Sequence, residues 1–197
     1  MKKIIIIILY TLFFAQNSFA QFTAIPDPVF ENKLIQLGID SDGLVNGQMF
    51  TSDAIGVSVL NLNAGSVAGT LQSLEGIEAF VDLVTLNCYG HNLDSLDFSA
   101  NTLLDTLYCS GNNLEHINVN NCLNLKEFNC DDNQLNQLDV SNCVLLTVLV
   151  CQNNLLTTID VSNSPNIIGL SCFGNNITTV NVSGCTNLQG LDCGSNN

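Results

Sequence analysis

Nine cysteines and two histidines offer the most obvious chemistry in this chain. In an exported protein such a cysteine count suggests disulfides. Their spacing argues for another role. Cys88, Cys109, Cys130, Cys151, Cys172 and Cys193 recur every 21 residues, and Cys122, Cys143 and Cys185 share a second register. Side chains in register point the same way, which leaves their Cβ atoms slightly too far apart to bridge, although neighbouring Cα atoms fall within range. Cysteine also packs as a small hydrophobe, so buried free thiols are expected. Zinc is the competing chemistry. Cys88-Tyr89-Gly90-His91 has a ligand-like gap, and His116 is the other histidine. Structural zinc needs four convergent ligands, whereas an inward Cys88 and a bend-position His91 diverge. No metal site, cofactor or catalytic residue is assigned.

The acids give no catalytic set either. Asp131 and Asp132 are adjacent, so on a strand they point to different sides. No Gly-x-Ser-x-Gly or phosphate loop appears, and neither histidine has a positioned nucleophile. Asp40, Asp42, Asn46 and Asp53 offer oxygen ligands for calcium. Their spacing breaks the twelve-residue calcium loop, because Val45 stands where the glycine is needed. Calcium is carried as a weak expectation.

What must position these residues is a repeat. Taking Leu83, Leu104, Leu125, Leu146, Ile167 and Leu188 as position 1, the unit reads L-x-x-L-x-C-x-x-N-x-L-x-x-L-D-V-S plus four linking residues. A period in the twenties means a solenoid whose coils bury their apolar faces only by stacking. Leu86, Leu107, Phe128, Leu149, Leu170 and Leu191 at position 4 alternate with outward neighbours, a half-buried strand. Such strands stack in parallel at about 4.8 Å. His91, Asn112, Asn133, Asn154, Asn175 and Asn196 at position 9 end the strand. An amide both donates and accepts there, so the stack predicts an asparagine ladder with one imidazole substitute. The Leu-Asp-Val-Ser stretch predicts a second extended wall. At 21 residues there is no room for a full helix per coil.

The outward positions are where a partner would touch. Tyr89, Tyr108, Glu127, Asn129, Asp131, Val150, Gln152 and Phe173 are the candidate binding residues, with Ser110 and Ser171 between them. Exposed aromatics beside acids make typical anchors.

Residues 1–20 read as a signal peptide: Lys2-Lys3, an apolar run, then Ser18-Phe19-Ala20. Residues 21–58 form an N-terminal cap with a short helix from about Val29 to Leu37, its apolar face being Phe30, Leu34 and Leu37. The repeats fill 59–197, as an irregular first coil (59–82), five full units (83–187) and an incomplete one (188–197). That abrupt stop predicts a longer protein. The 18 acids face only Lys33 and Lys126 after residue 20, which leaves residues 21–197 at −16. Phosphate backbones and anionic membranes are repelled.

Positions 4, 6, 9, 11 and 14–17 together resemble the leucine-rich repeat family, and the Leu-Asp-Val-Ser and Cys-x-x-Asn wording resembles secreted, internalin-like bacterial surface proteins. The opening Ile25-Pro26-Asp27-Pro28-Val29-Phe30-Glu31 resembles the cap of such proteins. The resemblance implies a leucine-rich repeat solenoid of the α/β horseshoe class, mostly β. It also implies adhesion or recognition outside the cell. The expected function is a secreted or cell-surface module, not an enzyme, that binds an extracellular protein or glycan through its strand face. The alternatives are a non-catalytic part of a larger secreted enzyme, such as a polysaccharide-degrading one, and a structural surface spacer.

Overall fold

A computed structural model describes residues 21–66 and 68–197; the expected signal peptide lies outside them. Alternating burial builds the main element. In Thr106–Tyr108, for example, Leu107 is fully buried while its two neighbours are only partly covered. Seven such three-residue strands form one parallel front sheet: Val59–Asn61, Thr85–Asn87, Thr106–Tyr108, Glu127–Asn129, Val148–Val150, Gly169–Ser171 and Gly190–Asp192. The register is unbroken, running Leu60, Leu86, Leu107, Phe128, Leu149, Leu170, Leu191. Because every repeat has the same length, each apolar side chain meets its own kind in the next coil. The core is therefore a column rather than a ball.

Across the core stands a back wall of two short parallel pairs, Ser95–Asp97 with His116–Asn118 and Thr158–Asp160 with Thr179–Asn181. Residues 137–139 form no strand, so the expected second wall is interrupted in one coil. Within the opening coil a 3-10 turn spans Ile77–Ala79. At Gly76, φ is +99°, and a Cβ would collide with Ile25 and the Ala24 carbonyl, so only glycine fits.

The N-terminal segment covers the first coil. Strands Phe22–Ala24 and Gln48–Phe50 pair antiparallel, and the helix spans Pro28–Gln36. Pro28 suits the first turn, where its missing N–H is not needed. Asp27 caps the helix: its Oδ1 accepts from the N–H groups of Val29 (2.8 Å) and Phe30 (3.2 Å). The other oxygen accepts from Gln72 N–H (2.6 Å) and Ser73 N–H (3.0 Å), which ties the helix to the opening coil. Phe30 and Leu34 are buried, and Phe30 packs near Phe80 with ring centroids 6.4 Å apart. Leu37 corrects the sequence reading. It is the C-cap residue and is 44% exposed, because the chain leaves the helix there and turns at Gly38 (φ +71°).

Candidate binding face

The bends at the end of each front strand are set by position 9. The Asn133 amide donates to the carbonyls of Cys109 (3.1 Å), Cys130 (3.1 Å) and Asp131 (3.0 Å), and its Oδ1 accepts from Leu114 N–H (2.9 Å). Asn112, Asn154, Asn175 and Asn196 repeat the same set one coil apart. His91 keeps both functions with a ring. Nε2 lies 2.6 Å from the Leu62 carbonyl, and Nδ1 accepts from Leu71 N–H at 3.2 Å. That requires the tautomer protonated on Nε2.

Position 8, just before the asparagine, carries a constraint that the repeat reading passed over. Gly90, Gly111, Asp132, Asn153, Gly174 and Ser195 all have positive φ, between 50° and 83°. Every coil turns through the left-handed region there, which glycine enters freely and Asn or Asp at modest cost. Asp132 is one of these turn residues, and its side chain is exposed. Four residue types share this column, and that variety hid it. A second buried column lies at position 19. Cys122, Cys143 and Cys185 share it with Asn101 and Ser164. Asn101 donates to the carbonyls of Ile77 and Phe80 (2.9 Å each), and Ser164 to that of Cys143 (3.0 Å).

All nine cysteines are unbridged and eight are buried. Cys193 is the exception. It follows the strand at the edge of the front sheet. Desolvation pushes the thiols of Cys88 and Cys122 up to about 12 and those of Cys143 and Cys172 to about 11. It also raises Cys109, Cys130, Cys151 and Cys185. Thiolate is the reactive form, so these groups are inert at neutral pH.

The front sheet turns its other face to solvent. Tyr89 is 53% exposed and Phe173 38%. Each lies against the glycine of the next coil, Gly111 and Gly194. Tyr108 donates its hydroxyl proton to Glu127 Oε2 at 2.6 Å, which fixes both side chains. That bond, followed by partial burial, raises the Tyr108 pKa. Asn129 Oδ1 accepts from Asp131 N–H (3.0 Å), and Gln152 Nε2 donates to Ser171 Oγ (2.5 Å). Desolvation raises the Asp131 carboxyl, and the Ser110 hydroxyl offsets this in part. Ser110 itself is buried rather than outward, a correction that follows from its place at the closing edge of the strand. Toward the last coils the face changes character. Gly169 and Gly190 leave a shallow hollow of about 360 Å³ walled by Val148, Val150 and the flank of Leu191. Acids on the outward strand positions are Glu127, Asp131 and Asp192; no cation stands among them.

A polar groove of about 510 Å³ crosses the opposite wall where the strand is missing, lined by Asn136–Ser141, Thr157, Thr158, Asp160, Ser162 and Asn163. Asp139 and Asp160 are held below the usual carboxylate range by the Ser141 and Ser162 groups they accept from. Among the described residues no helix is long and apolar enough to cross a membrane.

No protein-family model and no curated protein matches the sequence. Solved structures do. The functional domain of InlJ from Listeria monocytogenes, described as including a cysteine ladder, is 31% identical with a TM-score of 0.78. The match covers 90% of this chain, which spans only 39% of that one. A leucine-rich repeat protein of Leptospira interrogans matches with a TM-score of 0.57 at 23% identity, over 61% of this chain and 33% of that one; that likeness shows the fold alone. The register of the front sheet, the stacked cysteines and these neighbours agree: the chain is an internalin-like leucine-rich repeat solenoid.

Proposed function

We propose that this protein is an exported binding module, that residues 1–20 are its removed signal peptide, and that it recognises an extracellular protein or glycan through the front sheet. The observation that carries this is the uninterrupted outward face of seven strands with partly exposed, pre-positioned aromatics. Tyr89 and Phe173 rest on glycines, and Tyr108 is pinned to Glu127. Aromatic side chains held in place give contact area at low entropic cost. Glu127, Asp131 and Asp192, in a chain of net charge −16 after residue 20, favour a cationic epitope and speed its approach. The hollow beside Val148 and Val150 would seat one apolar side chain of such a partner. Nothing on this face pairs a nucleophile with a base, which makes binding the better reading than catalysis.

The test is a titration of wild type, Tyr108→Ala and Asp160→Ala against the partner captured by the immobilised protein. Tyr108→Ala should weaken binding by about tenfold, roughly 1.4 kcal/mol, and Asp160→Ala should leave it unchanged. The reverse pattern would move the site to the groove of the opposite wall.

A further inference from the structure

Two glycines on the front face are not required by the fold. Gly169 and Gly190 stand at position 3 of successive strands, in register with each other and with Val148. Neither has a positive φ, and a Cβ at either would meet nothing within 4 Å. A β-branched residue would therefore fit at both and would suit a strand better. Glycine inside a strand costs stability and often marks a place where another molecule comes close. Here the two glycines open the hollow of about 360 Å³, whose standing wall is Val148 and Val150. It has room for one side chain the size of leucine or phenylalanine.

An exposed acid stands at either end of this hollow. Glu127 is the register neighbour of Val148 on one side, and Asp192 closes the strand of Gly190 on the other. Among the described residues Tyr108 engages only Oε2 of Glu127 (2.6 Å), and Gly194 N–H only Oδ1 of Asp192 (3.2 Å). Each acid thus keeps an oxygen for a ligand. Neither lysine answers them. Lys126, next to Glu127 in sequence, is held by Asp105 at 2.6 Å, and Lys33 donates to the Ser66 carbonyl at 2.7 Å. A metal does not fit as the missing cation. Among the described residues no three His, Cys, Asp or Glu side chains are placed to hold one. That includes Asp40, Asp42 and Asp53 of the cap loop, so the expectation of calcium there is not met.

We propose that the front face takes an extended segment of a partner protein in which a large apolar side chain is flanked, two residues away on each side, by Lys or Arg. The proposal rests on the reading of the front sheet as the binding face and narrows the partner from protein or glycan to protein. Spacing carries it. From Glu127 to the strand of Asp192 is three strand steps, about 14 Å at about 4.8 Å each. An extended chain advances about 3.3 Å per residue, so residues i and i+4 stand about 13 Å apart, and i, i+2 and i+4 face the same way. Such a segment, laid across the strands with residue i over Glu127, sets residue i+2 over Gly169 against Val148 and Val150. Residue i+4 then arrives beside Asp192. The long stems of Lys or Arg take up the offset of Asp192 along its strand. The apolar side chain supplies the contact, while the acids fix the register and repel acidic segments. A neutral glycan has neither the two charges nor the side chain.

The test titrates the full chain into a fluorescent peptide, Gly-Ser-Lys-Ser-Leu-Ser-Lys-Ser-Gly, and reads anisotropy. One control peptide has Leu replaced by Ser, and another has both Lys replaced by Glu. Only the first should bind at chain concentrations up to about 1 mM. Gly169→Val fills the hollow. It should melt about 2–4 °C higher than wild type yet bind the peptide at least about tenfold more weakly, and Gly190→Val should do the same. Glu127→Gln and Asp192→Asn should each weaken binding about threefold at low salt, and Asp160→Ala on the back wall should not. No binding of the first peptide at about 1 mM overturns the proposal. So does equal binding of either control peptide, unchanged affinity in Gly169→Val, or a lowered Tm there, which would make the glycine structural. The captured partner separates this proposal from the reading beneath it. Sensitivity to Tyr108→Ala with indifference to Gly169→Val overturns the segment and leaves the front sheet standing. So does binding destroyed by periodate but not by protease. Loss in Asp160→Ala alone overturns both.

Discussion

Replacing Asn154 with alanine tests what holds the coils together. Asn154 is buried, donates to the carbonyls of Cys130 (3.0 Å), Cys151 (3.3 Å) and Gln152 (3.0 Å), and accepts from Leu135 N–H at 2.9 Å. The losses are not equal. The Cys130 carbonyl keeps its bond from Asn133 (3.1 Å), and the Cys151 carbonyl keeps that from Asn175 (2.9 Å). Leu135 N–H loses its acceptor and stays buried. An orphaned buried donor costs about 1–3 kcal/mol, and the three carbonyls each keep another donor and together lose about 1 kcal/mol more, so the total should be about 2–4 kcal/mol. Asn196→Ala removes the same contacts, to Cys172, Cys193 and Ile177. There the residue is only half-buried and water can replace it, so about 1 kcal/mol is expected. Urea unfolding followed by far-UV circular dichroism measures both, with hydrogen exchange reporting the Leu135 amide directly. Losses below about 0.5 kcal/mol at position 154, or undiminished protection of Leu135, would refute the idea that the ladder holds the bends.

Three further outcomes are expected. Gly174→Ala should destabilise by at least about 1 kcal/mol in urea, because φ is +68° and the new Cβ meets Asn153 Oδ1; a neutral change would mean the turn is not left-handed. Thiol titration at pH 8 should find only Cys193 fast-reacting in the native chain and all nine after denaturation, and a non-reducing mass showing three or four bridges would contradict this. Asp97, Asp105, Asp139 and Asp160 have folded pKa values below their usual one, through bonds from Ser99, Lys126, Ser141 and Ser162 respectively. Their stabilisation is therefore full above about pH 4–5 and lost as pH falls through the lowered values. Asp40 and Asp131, raised by burial, work in the opposite direction. Urea midpoints should thus drop below pH 4, and a double Asp139→Asn, Asp160→Asn variant should drop less.

Much of this was legible because the repeat makes each column an alignment of the chain with itself. Leu149 and Cys151 could be placed inward from spacing alone, and Asn154 at the bend from its chemistry. His91 could be fitted into the ladder because an imidazole, like an amide, offers a donor and an acceptor. What escaped was set by backbone angle or by three-dimensional cover. Position 8 needs a left-handed backbone, and Gly111, Asp132, Asn153 and Ser195 meet that need with different side chains. Ser110 alternates outward in sequence but lies under the strand's closing edge. Cys193 has the pattern of a core residue but is exposed beside the edge strand of the sheet. The broken back wall at 137–139 has no counterpart in the spacing, which is intact there. Asp40 looked like one loop acid among several, since burial of a single carboxylate depends on how the loop folds over it.

Hydroxyl-radical footprinting of the protein alone and with its captured partner tests the central claim most directly, since Tyr and Phe are strongly labelled and sit on the proposed face. Binding through the front sheet predicts that Tyr89, Tyr108 and Phe173 lose labelling while residues 136–141 and 157–163 keep theirs. Protection confined to those back-wall segments, with the three aromatics labelled as in the free protein, would contradict it.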